Sequence, residues 1–336
     1  MNPFRLRQAL SVQDAVLQGA ASPTAQQGAT IRFLAGGTTL LDLMKLDVEH
    51  PTHVVQLKNL GLGRIEATPD GGLCIGALVS NADLAHHEYV KLGYPVLAEA
   101  LLSGASAQLR NMATTAGNLL QRTRCVYFRD PAMACNKRAP GSGCDALGGY
   151  NRNLAILGTS AHCIATNPSD MNVALAVLDA TVHVEGLHGN REIPFSKLHV
   201  APGDTPHIET VLVPGDLITH VTLAPLPVDA RSGYLKLRDR ASYEFALASC
   251  AVVLSMQDGR VDTIRIGLGG VATRPWRAIE AEHMLAGKPL TQANVERAAA
   301  AALKEARPQS ENGFKVELAR RCIVQAIRNV AQGDWQ

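Results

Sequence analysis

LAGGTTLLDLMKL (residues 34–46) and RNMATTAGNLL (residues 110–120) are the two glycine-containing stretches that dominate the first half of the sequence. The first follows a short apolar run at 31–34 and continues with helical spacing, which predicts a strand, a tight loop and a helix. Missing side chains at Gly36 and Gly37 allow a phosphate to approach backbone N–H groups. Neither GxGxxG nor GxxxxGKS/T accompanies them, so the common nucleotide-binding folds have no support.

The second stretch offers the same chemistry from different residues. Thr114 supplies a hydroxyl, Gly117 an open backbone and Asn118 an amide, just as Thr38 and Thr39 supply hydroxyls in the first. Either stretch alone would be interpreted as an ordinary loop. Two of them in one domain, with Ser169 and Asp170 resuming regular structure further on, fit a long ligand that carries a pyrophosphate.

The composition bounds the rest of the interpretation. A chain of 336 residues predicts about two domains, each able to bury a core. The formal charge of +2 gives no electrostatic case for nucleic acid as a partner.

No apolar run is long enough for a membrane span, and residues 1–20 lack the apolar stretch of a signal peptide. Seven cysteines, an odd number, argue against a secreted disulfide framework.

The order of predicted elements indicates an α+β protein. Residues 1–224 alternate strands and helices, including a helix at 97–109 and a strand at 210–212, whereas residues 225–336 begin with long strands. Helices follow at 278–285, 291–304 and 314–331, which predicts an antiparallel sheet covered by helices. We therefore divide the chain into domains 1–224 and 225–336. GLGG at 267–270 lacks the spacing of a nucleotide-binding motif and is predicted to be a turn.

An irregular segment at 121–168 carries four of the cysteines, Cys125, Cys135, Cys144 and Cys163. So long a stretch without periodicity is typical of a functional loop. Four thiolates suit a [4Fe–4S] cluster or tetrahedral zinc, and the spacing is also compatible with no metal. Arg122, Arg124, Arg129, Lys137 and Arg138 surround the first two cysteines with only Asp130 opposing them in sequence. Positive charge would stabilise a reduced cluster, although a solvated basic loop has the same composition. Cys74, Cys250 and Cys322 lie in apolar contexts and are predicted to be inert buried thiols.

The two loops at this separation resemble the FAD-binding medium subunit of the xanthine dehydrogenase and aldehyde oxidase family of molybdenum hydroxylases. The likeness extends through PSDMNVALAVLDATVHVEG, YLKLRDRASYEFALASCAVVL and GLGGVATRPWRA, so it covers most of the chain. It implies a two-part N-terminal FAD-binding domain (PCMH-like) and a C-terminal domain like that of CO dehydrogenase flavoproteins.

The resemblance also implies which residues bind FAD. In that family the two loops hold the pyrophosphate and flank the isoalloxazine, the acidic residue matching Asp170 binds toward the ribose and adenine, and the segment 236–247 lies beside the flavin ring. The residues carried over are Leu34, Ala35, Gly36, Gly37, Thr38, Thr39, Leu40, Thr114, Gly117, Asn118, Ser169, Asp170, Lys236, Tyr243 and Leu247. Ala116 stands where the family commonly has the first glycine of Gly-Gly-Asn, a change that strains the backbone if positive φ is needed.

The irregular segment at 121–168 restricts the resemblance to those family members that carry an insert at this position. Ordinary xanthine dehydrogenase FAD domains run almost directly from the second loop to the Ser-Asp pair, whereas this chain inserts CVYFRDPAMACNKRAPGSGCDALGGYNRNLAILGTSAHC. The insert is similar to that of the flavin subunit of bacterial periplasmic aldehyde oxidoreductases, three-subunit enzymes in which it holds a [4Fe–4S] cluster. The medium subunit of 4-hydroxybenzoyl-CoA reductase has an insert of the same kind with different cysteine spacing, and is the second alternative.

The implied function is electron transfer. The chain would carry FAD and a [4Fe–4S] cluster, with a molybdenum cofactor-binding large subunit, a [2Fe–2S] small subunit and an external electron acceptor as partners. No residue here would act as a catalytic acid or base on an aldehyde. The periplasm is the implied compartment, by co-export with a signal-bearing partner, and otherwise the cytoplasm. A zinc-stabilised binding or scaffold protein is the alternative from a different class.

Overall fold

The computed structural model describes residues 1–331 and 334–335, and its strands form three sheets. A parallel sheet has the order β1-β3-β2, an antiparallel sheet the order β4-β5-β8-β6-β7, and a second antiparallel sheet the order β12-β11-β10-β9. Their bounds are β1 Arg5–Gln8, β2 Ile31–Leu34, β3 His53–Gln56, β4 Ile65–Ala67, β5 Leu73–Gly76, β6 Thr181–Gly186, β7 Gly189–Pro194, β8 Leu217–Leu223, β9 Arg231–Leu237, β10 Ala248–Gln257, β11 Arg260–Gly269 and β12 Trp276–Arg277.

The helices lie between and against these sheets. Their bounds are α1 Val12–Ala20, α2 Leu40–Lys45, α3 Asn81–His86, α4 Glu88–Gly93, α5 Pro95–Ser103, α6 Ala107–Met112, α7 Thr115–Leu119, α8 Val126–Arg129, α9 Asp170–Val177, α10 Phe195–Leu198, α11 Ile279–Leu285, α12 Gln292–Ala302 and α13 Phe314–Ala331. In the described part of the chain no helix is both long and apolar enough to span a bilayer.

The N-terminal half has two cores that follow from its apolar patterning. Val16 of α1 and Val55 of β3 are fully buried where α1 packs on the parallel sheet. A larger core joins the five-stranded sheet to α3, α5 and α9, with Leu97 and Val173 inside it. The chain between β2 and α2 lies between these two cores, and so do α6 and α7.

The C-terminal half is a four-stranded antiparallel sheet covered by α11, α12 and α13. Every residue of β10 from Ala248 to Ser255 is buried, because one face contacts these helices and the other contacts α5 and α9. The Asp258–Gly259 turn joins β10 to β11 with φ of 51° and 71°, as a tight hairpin requires. The α+β prediction is confirmed by this arrangement.

The segment 121–168 contains α8 and otherwise only turns and isolated bridges, in keeping with its lack of periodicity. It packs into a small core built around Phe128, Leu154 and Ile164, to which Leu43 and Val48 from outside the segment also contribute. Asn151 and Lys315 attach it to the C-terminal half: the Lys315 ammonium donates to the carbonyls of Leu154 and Gly270 at 2.9 and 2.6 Å.

Three local predictions were wrong. The helix at 97–109 is two helices, because the chain turns at Gly104 and Ala105, where Ala105 has a φ of 52°. The segment 210–212 is not a strand; Thr210 forms only an isolated bridge with His199. GLGG lies mostly within β11 rather than in a turn, because the strand continues to Gly269. Glycine is needed at position 267 because a Cβ there would come within 2.9 Å of the Val173 carbonyl oxygen of α9.

Candidate functional site

The first loop is shaped by two glycines with different roles. A Cβ on Gly36 would lie 1.7 Å from the carbonyl oxygen of Met112, so the backbone at this position touches the end of α6 and admits no side chain. Gly37 has a φ of +75°, a conformation that favours glycine. Thr39 precedes α2, yet its side chain makes no capping hydrogen bond. The loop is therefore locked against the second one while its hydroxyls stay available.

The second loop begins directly after that contact. Thr114 caps α7 by accepting from the Gly117 N–H at 3.3 Å, and Asn118 accepts from the Ser169 hydroxyl at 2.7 Å. Ala116 lies inside α7 and is not among the residues with positive φ. Its methyl group therefore causes no backbone strain, and the departure from Gly-Gly-Asn is tolerated.

A buried histidine holds the end of the second loop. His199 Nε2 lies 2.9 Å from the carbonyl oxygen of Leu119, while its Nδ1 has no hydrogen-bond partner within residues 1–331 and 334–335. Protonation would place a charge and an unsatisfied donor in the interior, so burial lowers the pKa of His199 to about 4. The neutral ring, donating from Nε2, is the form that fits.

We predict an acid-dependent loss of stability from His199. Because its folded pKa of about 4 lies below the ordinary value of 6.5, its contribution is complete above pH 6.5 and is lost as the pH falls toward 4. The loss is on the order of 3 kcal/mol between pH 7 and pH 4. Equilibrium unfolding over that range should show this component in the native protein, and His199→Gln, which cannot titrate, should lack it. Equal pH slopes for the two proteins would contradict the assignment.

Two cavities lie on either side of the paired loops. Cavity A, of about 260 Å³, has an apolar wall that includes Ile31, Phe33 and Leu217, and cavity B, of about 640 Å³, reaches the C-terminal half at Tyr243 and Phe245. The predicted residues on cavity A are Leu34, Ala35, Gly36, Gly37, Thr38, Thr39, Leu40, Thr114 and Gly117. Those on cavity B are Thr38, Thr39, Gly117, Asn118, Asp170 and Tyr243. Because Thr38, Thr39 and Gly117 line both, the loops form the partition between the two cavities.

Asp170 is held by partners that sequence reasoning did not connect to it. Its carboxylate lies 2.8 Å from the Lys236 ammonium and 2.5 Å from the Tyr234 hydroxyl. Burial, followed by the nearby Asp170 charge, raises the pKa of Tyr234 well above its ordinary value. The structure thus brings Asp170 and Lys236 together beside cavity B, on the same side of the loops as Tyr243. Tyr234 was missed, although it lies two positions before Lys236 and so on the same strand face.

Ser169 and Leu247 lie slightly apart from the other predicted residues. Both are buried and line a smaller space of about 170 Å³, cavity C, between the cysteine segment and the C-terminal half. Ser169 still reaches the second loop through Asn118. Leu247 lines neither cavity A nor cavity B.

The four clustered cysteines share one small core. Cys125, Cys135 and Cys163 are buried in it and Cys144 packs against it, and all four are free thiols. The remaining three cysteines lie elsewhere: Cys250 and Cys322 in the C-terminal core and Cys74 on β5. As the side chains stand, no three His, Cys, Asp or Glu residues in the described part of the chain are grouped to hold a metal ion.

Backbone N–H groups already point at these sulfurs. The backbone N–H groups of Tyr127 and Phe128 lower the pKa of Cys125, and the Ala165 N–H lies 3.5 Å from the Cys163 sulfur. Burial is the main reason that the pKa of Cys125 rises to about 12, and the N–H groups oppose the rise. N–H groups directed at cysteine sulfur are among the groups that stabilise thiolate ligands of a metal centre.

The basic residues around the cysteines do not form a freely solvated basic loop, because they have acceptors beyond the one acidic neighbour, Asp130, that the sequence of the segment supplies. Asp42 of α2 accepts from Arg124 at 3.2 Å and from Arg129 at 2.6 Å. Arg138 donates only to carbonyls of its own segment, among them those of Tyr127 and Phe128. The opposing carboxylates come from distant parts of the sequence, which is why spacing did not reveal them.

Arg122 and Lys137 enter a buried network of five charges. Arg122 contacts both Glu49 and Glu209, Lys137 lies 2.9 Å from Glu209, and Arg32 lies 2.9 Å from Glu49. Burial alone would raise the pKa of Glu209, but Arg122 and Lys137 lower it to about 2. Glu209 is therefore charged at neutral pH, and it lies with its neighbour in the network, Glu49, at the wall of cavity A.

The comparison with known families decides what this architecture belongs to. Residues 2–226 match the FAD binding domain in molybdopterin dehydrogenase, and residues 233–330 match the CO dehydrogenase flavoprotein C-terminal domain. The chain belongs to the FAD-binding medium subunits of the molybdenum hydroxylase family. It is thus a subunit of an oxidoreductase, and FAD is the cofactor of its N-terminal domain.

Individual relatives agree with this family. The aldehyde oxidoreductase FAD-binding subunit PaoB of Escherichia coli (strain K12) is 51% identical over 308 residues, covering 91% of this chain and 93% of that protein. The glyceraldehyde dehydrogenase medium chain of Sulfolobus acidocaldarius is 25% identical, covering 89% of this chain and 90% of that protein. The resemblance inferred from the two loops is confirmed.

Solved structures show the same fold at lower identity. Carbon monoxide dehydrogenase from Hydrogenophaga pseudoflava superposes with a TM-score of 0.77 at 24% identity, covering 99% of this chain and 98% of that chain. Quinoline 2-oxidoreductase from Pseudomonas putida 86 gives a TM-score of 0.75 at 24% identity, with the same coverage. The medium subunit therefore keeps the architecture of these flavoproteins along its whole length.

Proposed function

We propose that this medium subunit is the flavin and iron–sulfur electron-transfer subunit of a heterotrimeric molybdenum-dependent aldehyde oxidoreductase. Electrons would arrive from a molybdenum-binding large subunit through a [2Fe–2S] small subunit and leave through FAD to an external acceptor. The observation that carries the proposal is the contact of the two loops at Gly36 and Met112, with a cavity on each side, in a chain half identical to an aldehyde oxidoreductase flavin subunit.

The two cavities suit the two ends of FAD. We assign the pyrophosphate to the partition between them, where Gly36, Gly37 and Gly117 expose backbone and Thr38 and Thr39 offer hydroxyls. The apolar wall of cavity A suits adenine. The larger cavity B, bordered by exposed Tyr243 and Phe245, suits the isoalloxazine, which must exchange electrons with partners.

This placement changes the role proposed for Asp170. The resemblance directed it toward the ribose and adenine, but its carboxylate lies beside cavity B with Lys236. We therefore assign Asp170 to the flavin side of the partition, where it orients the Lys236 ammonium. Flavin supplies the exchange of one electron with an iron–sulfur centre and of two with an acceptor, and the chain supplies position and electrostatics.

We also propose that Cys125, Cys135, Cys144 and Cys163 hold a [4Fe–4S] cluster. The proposal is supported by their common buried core, by the N–H donors directed at their sulfurs and by the lack of other structure in the segment. Tetrahedral zinc would use the same four thiols, and metal analysis distinguishes the two.

The compartment proposed is the periplasm, reached by co-export with a signal-bearing partner, and this rests on the resemblance alone. Fractionation of cells that express all subunits would test it. The domain division at 224/225 likewise stays a prediction, which limited proteolysis would test.

Partner dependence is the experiment that tests the function as a whole. The chain purified alone should show no aldehyde oxidation, because none of its described residues forms a site for that chemistry. Activity with an artificial acceptor should appear only when the molybdenum and [2Fe–2S] subunits are co-expressed. The isolated chain should nevertheless bind FAD and accept electrons from a chemical reductant. Aldehyde turnover by the isolated chain, or full turnover of a complex assembled without it, would overturn the proposal.

A further inference from the structure

The buried charge network faces both cofactor sites. Arg32, Glu49, Arg122 and Glu209 line cavity A, while Arg122, Glu209 and Lys137 also line a small space of about 40 Å³ that borders Cys163, which we call cavity D. The same side chains thus separate the proposed adenine site from the cysteine core. Arg122 is the member that contacts both carboxylates.

The network joins two parts of the chain that are distant in sequence. Arg122 and Lys137 belong to the cysteine segment, whereas Glu49 and Glu209 belong to the FAD-binding scaffold. Within residues 1–331 and 334–335, the only cations paired with Glu209 are Arg122 and Lys137. If these two cations moved away, a carboxylate that is only one quarter exposed would lose both of its partners, which is unfavourable.

The position of the two cations depends on the cysteine core. The Arg122 guanidinium lies 4.6 Å from the centroid of the Phe128 ring, and Phe128 belongs to the same buried core as Cys125. Lys137 follows Cys135 by two residues. α8 is the only helix or strand in the segment, so side-chain contacts, among them those of the cysteine core, hold Arg122 and Lys137 in place. A metal centre bound by the cysteines would order this core.

Movement of the cations would reach the wall of cavity A. Glu209 is tied to Gln26, whose amide accepts from the Glu209 N–H at 3.0 Å and donates to the carbonyls of Thr210 and Leu212. Gln26, Thr210 and Leu212 all line cavity A. The Glu209 backbone is thus part of this wall, so a shift of residue 209 after loss of its cations would alter the wall of cavity A.

We propose that Arg122 is a positioning residue that couples the two cofactor sites, so that occupation of the cysteine core strengthens FAD binding. The inference rests on the proposed function and adds to it an interaction between the cofactors. Such coupling is reciprocal: FAD in cavity A must stabilise the cysteine core by the same factor.

A thermodynamic cycle tests the coupling. The FAD dissociation constant is measured by flavin fluorescence on anaerobically prepared full-length protein, after reversible removal of FAD. Four proteins are compared: the native chain, Cys163→Ser, Arg122→Met and the double variant. We expect Cys163→Ser to weaken FAD binding by about 5- to 150-fold, the range typical of coupled sites. We expect Arg122→Met to weaken it as well, and the double variant to add less than about twofold to Arg122→Met.

Arg138→Met is the matched control. Arg138 is an arginine of the same segment, but its bonds go only to carbonyls within it. Its replacement should leave the effect of Cys163→Ser on FAD binding intact. Arg122→Lys keeps the positive charge but does not contact both Glu49 and Glu209 as the arginine does. It should give a coupling between that of the native chain and that of Arg122→Met. Retention of iron against a chelator, with and without FAD, supplies the reciprocal measurement.

The possible results distinguish the coupling from the proposed function on which it rests. If the protein binds both cofactors and Cys163→Ser leaves the FAD dissociation constant unchanged, the coupling is wrong and the function stands. If Cys163→Ser still weakens FAD binding to its full extent when combined with Arg122→Met, Arg122 does not carry the coupling and the inference fails. The inference fails likewise if the effect of Cys163→Ser is lost equally when it is combined with Arg138→Met. A chain that binds no FAD or no cluster contradicts the proposed function itself.

Discussion

Cys163→Ser is expected to reduce the iron of the purified protein from about four atoms per chain to nearly none, with a parallel loss of acid-labile sulfide. Cys163 is buried, borders the charge network through cavity D and accepts a backbone N–H, so no solvent ligand can easily replace its sulfur. The same result is expected for Cys125, Cys135 and Cys144. Iron and sulfide analysis with the visible spectrum measures the loss.

Loss of the centre should also disorder the segment that carries it. Residues 121–168 have a core of only a few apolar side chains, to which the cysteines themselves contribute. A segment with so little apolar burial depends on its metal centre for order. Limited proteolysis should therefore cut between 121 and 168 in the variant and not in the native protein.

The control is Cys74→Ser. Cys74 lies on β5, partly buried and outside the cysteine core, so its replacement should leave iron unchanged, as should replacement of Cys250 or Cys322. Stoichiometric zinc without sulfide in anaerobically prepared native protein would reject the cluster and leave the FAD assignment intact. A Cys163→Ser protein with full iron would show that the ligand set is wrong.

Local pattern was sufficient for much of the fold. The short apolar run at 31–34 before Gly36 and Gly37 gave β2, and the 314–331 helix was placed at its observed bounds because its periodicity continues over five turns. The helix at 97–109 failed because its apolar periodicity continues across Gly104 and Ala105, where the backbone turns. Periodicity reports which faces are apolar, and it does not report a single residue at positive φ.

In the candidate site, too, the sequence predicted features that depend on neighbouring residues and missed contacts between distant ones. Gly36 and Gly37 could be recognised as permissive positions, but the reason for Gly36 is the carbonyl of Met112, 76 residues away in sequence. The cations of the cysteine segment were visible, whereas Glu49, Glu209 and Asp42, which neutralise them, belong to other elements. Sequence spacing identified the groups that could do chemistry, and the tertiary fold determines which charges they meet.

Gly36→Ala is expected to weaken FAD binding by about tenfold to a hundredfold, although it adds a single methyl group. The methyl carbon would lie 1.7 Å from the Met112 carbonyl oxygen and 2.6 Å from its carbon, both backbone atoms that no rotamer change can remove. The two loops must therefore separate, and the partition between cavities A and B widens. Loss of one hydrogen bond to a charged pyrophosphate costs about 1.5–3 kcal/mol, which gives a decrease of this size.

Two further glycine variants make the result specific. Gly37→Ala introduces strain of about 1–2 kcal/mol because of its positive φ, but its nearest contacts are movable atoms of the Leu41 and Leu34 side chains. It should lower stability and reduce FAD content less than Gly36→Ala does. Gly63→Ala, where a Cβ meets nothing within 4 Å and φ is ordinary, should change neither.

The measurement is the FAD dissociation constant together with thermal unfolding of the FAD-free proteins, so that loss of cofactor affinity is distinguished from loss of fold. The expected order of affinities is native and Gly63→Ala, then Gly37→Ala, then Gly36→Ala. Gly36→Ala with native affinity would show that the contact between the loops is not what presents them to the pyrophosphate. FAD would then be held mainly by the cavities on either side, and the partition formed by Thr38, Thr39 and Gly117 would be a wall rather than a binding element.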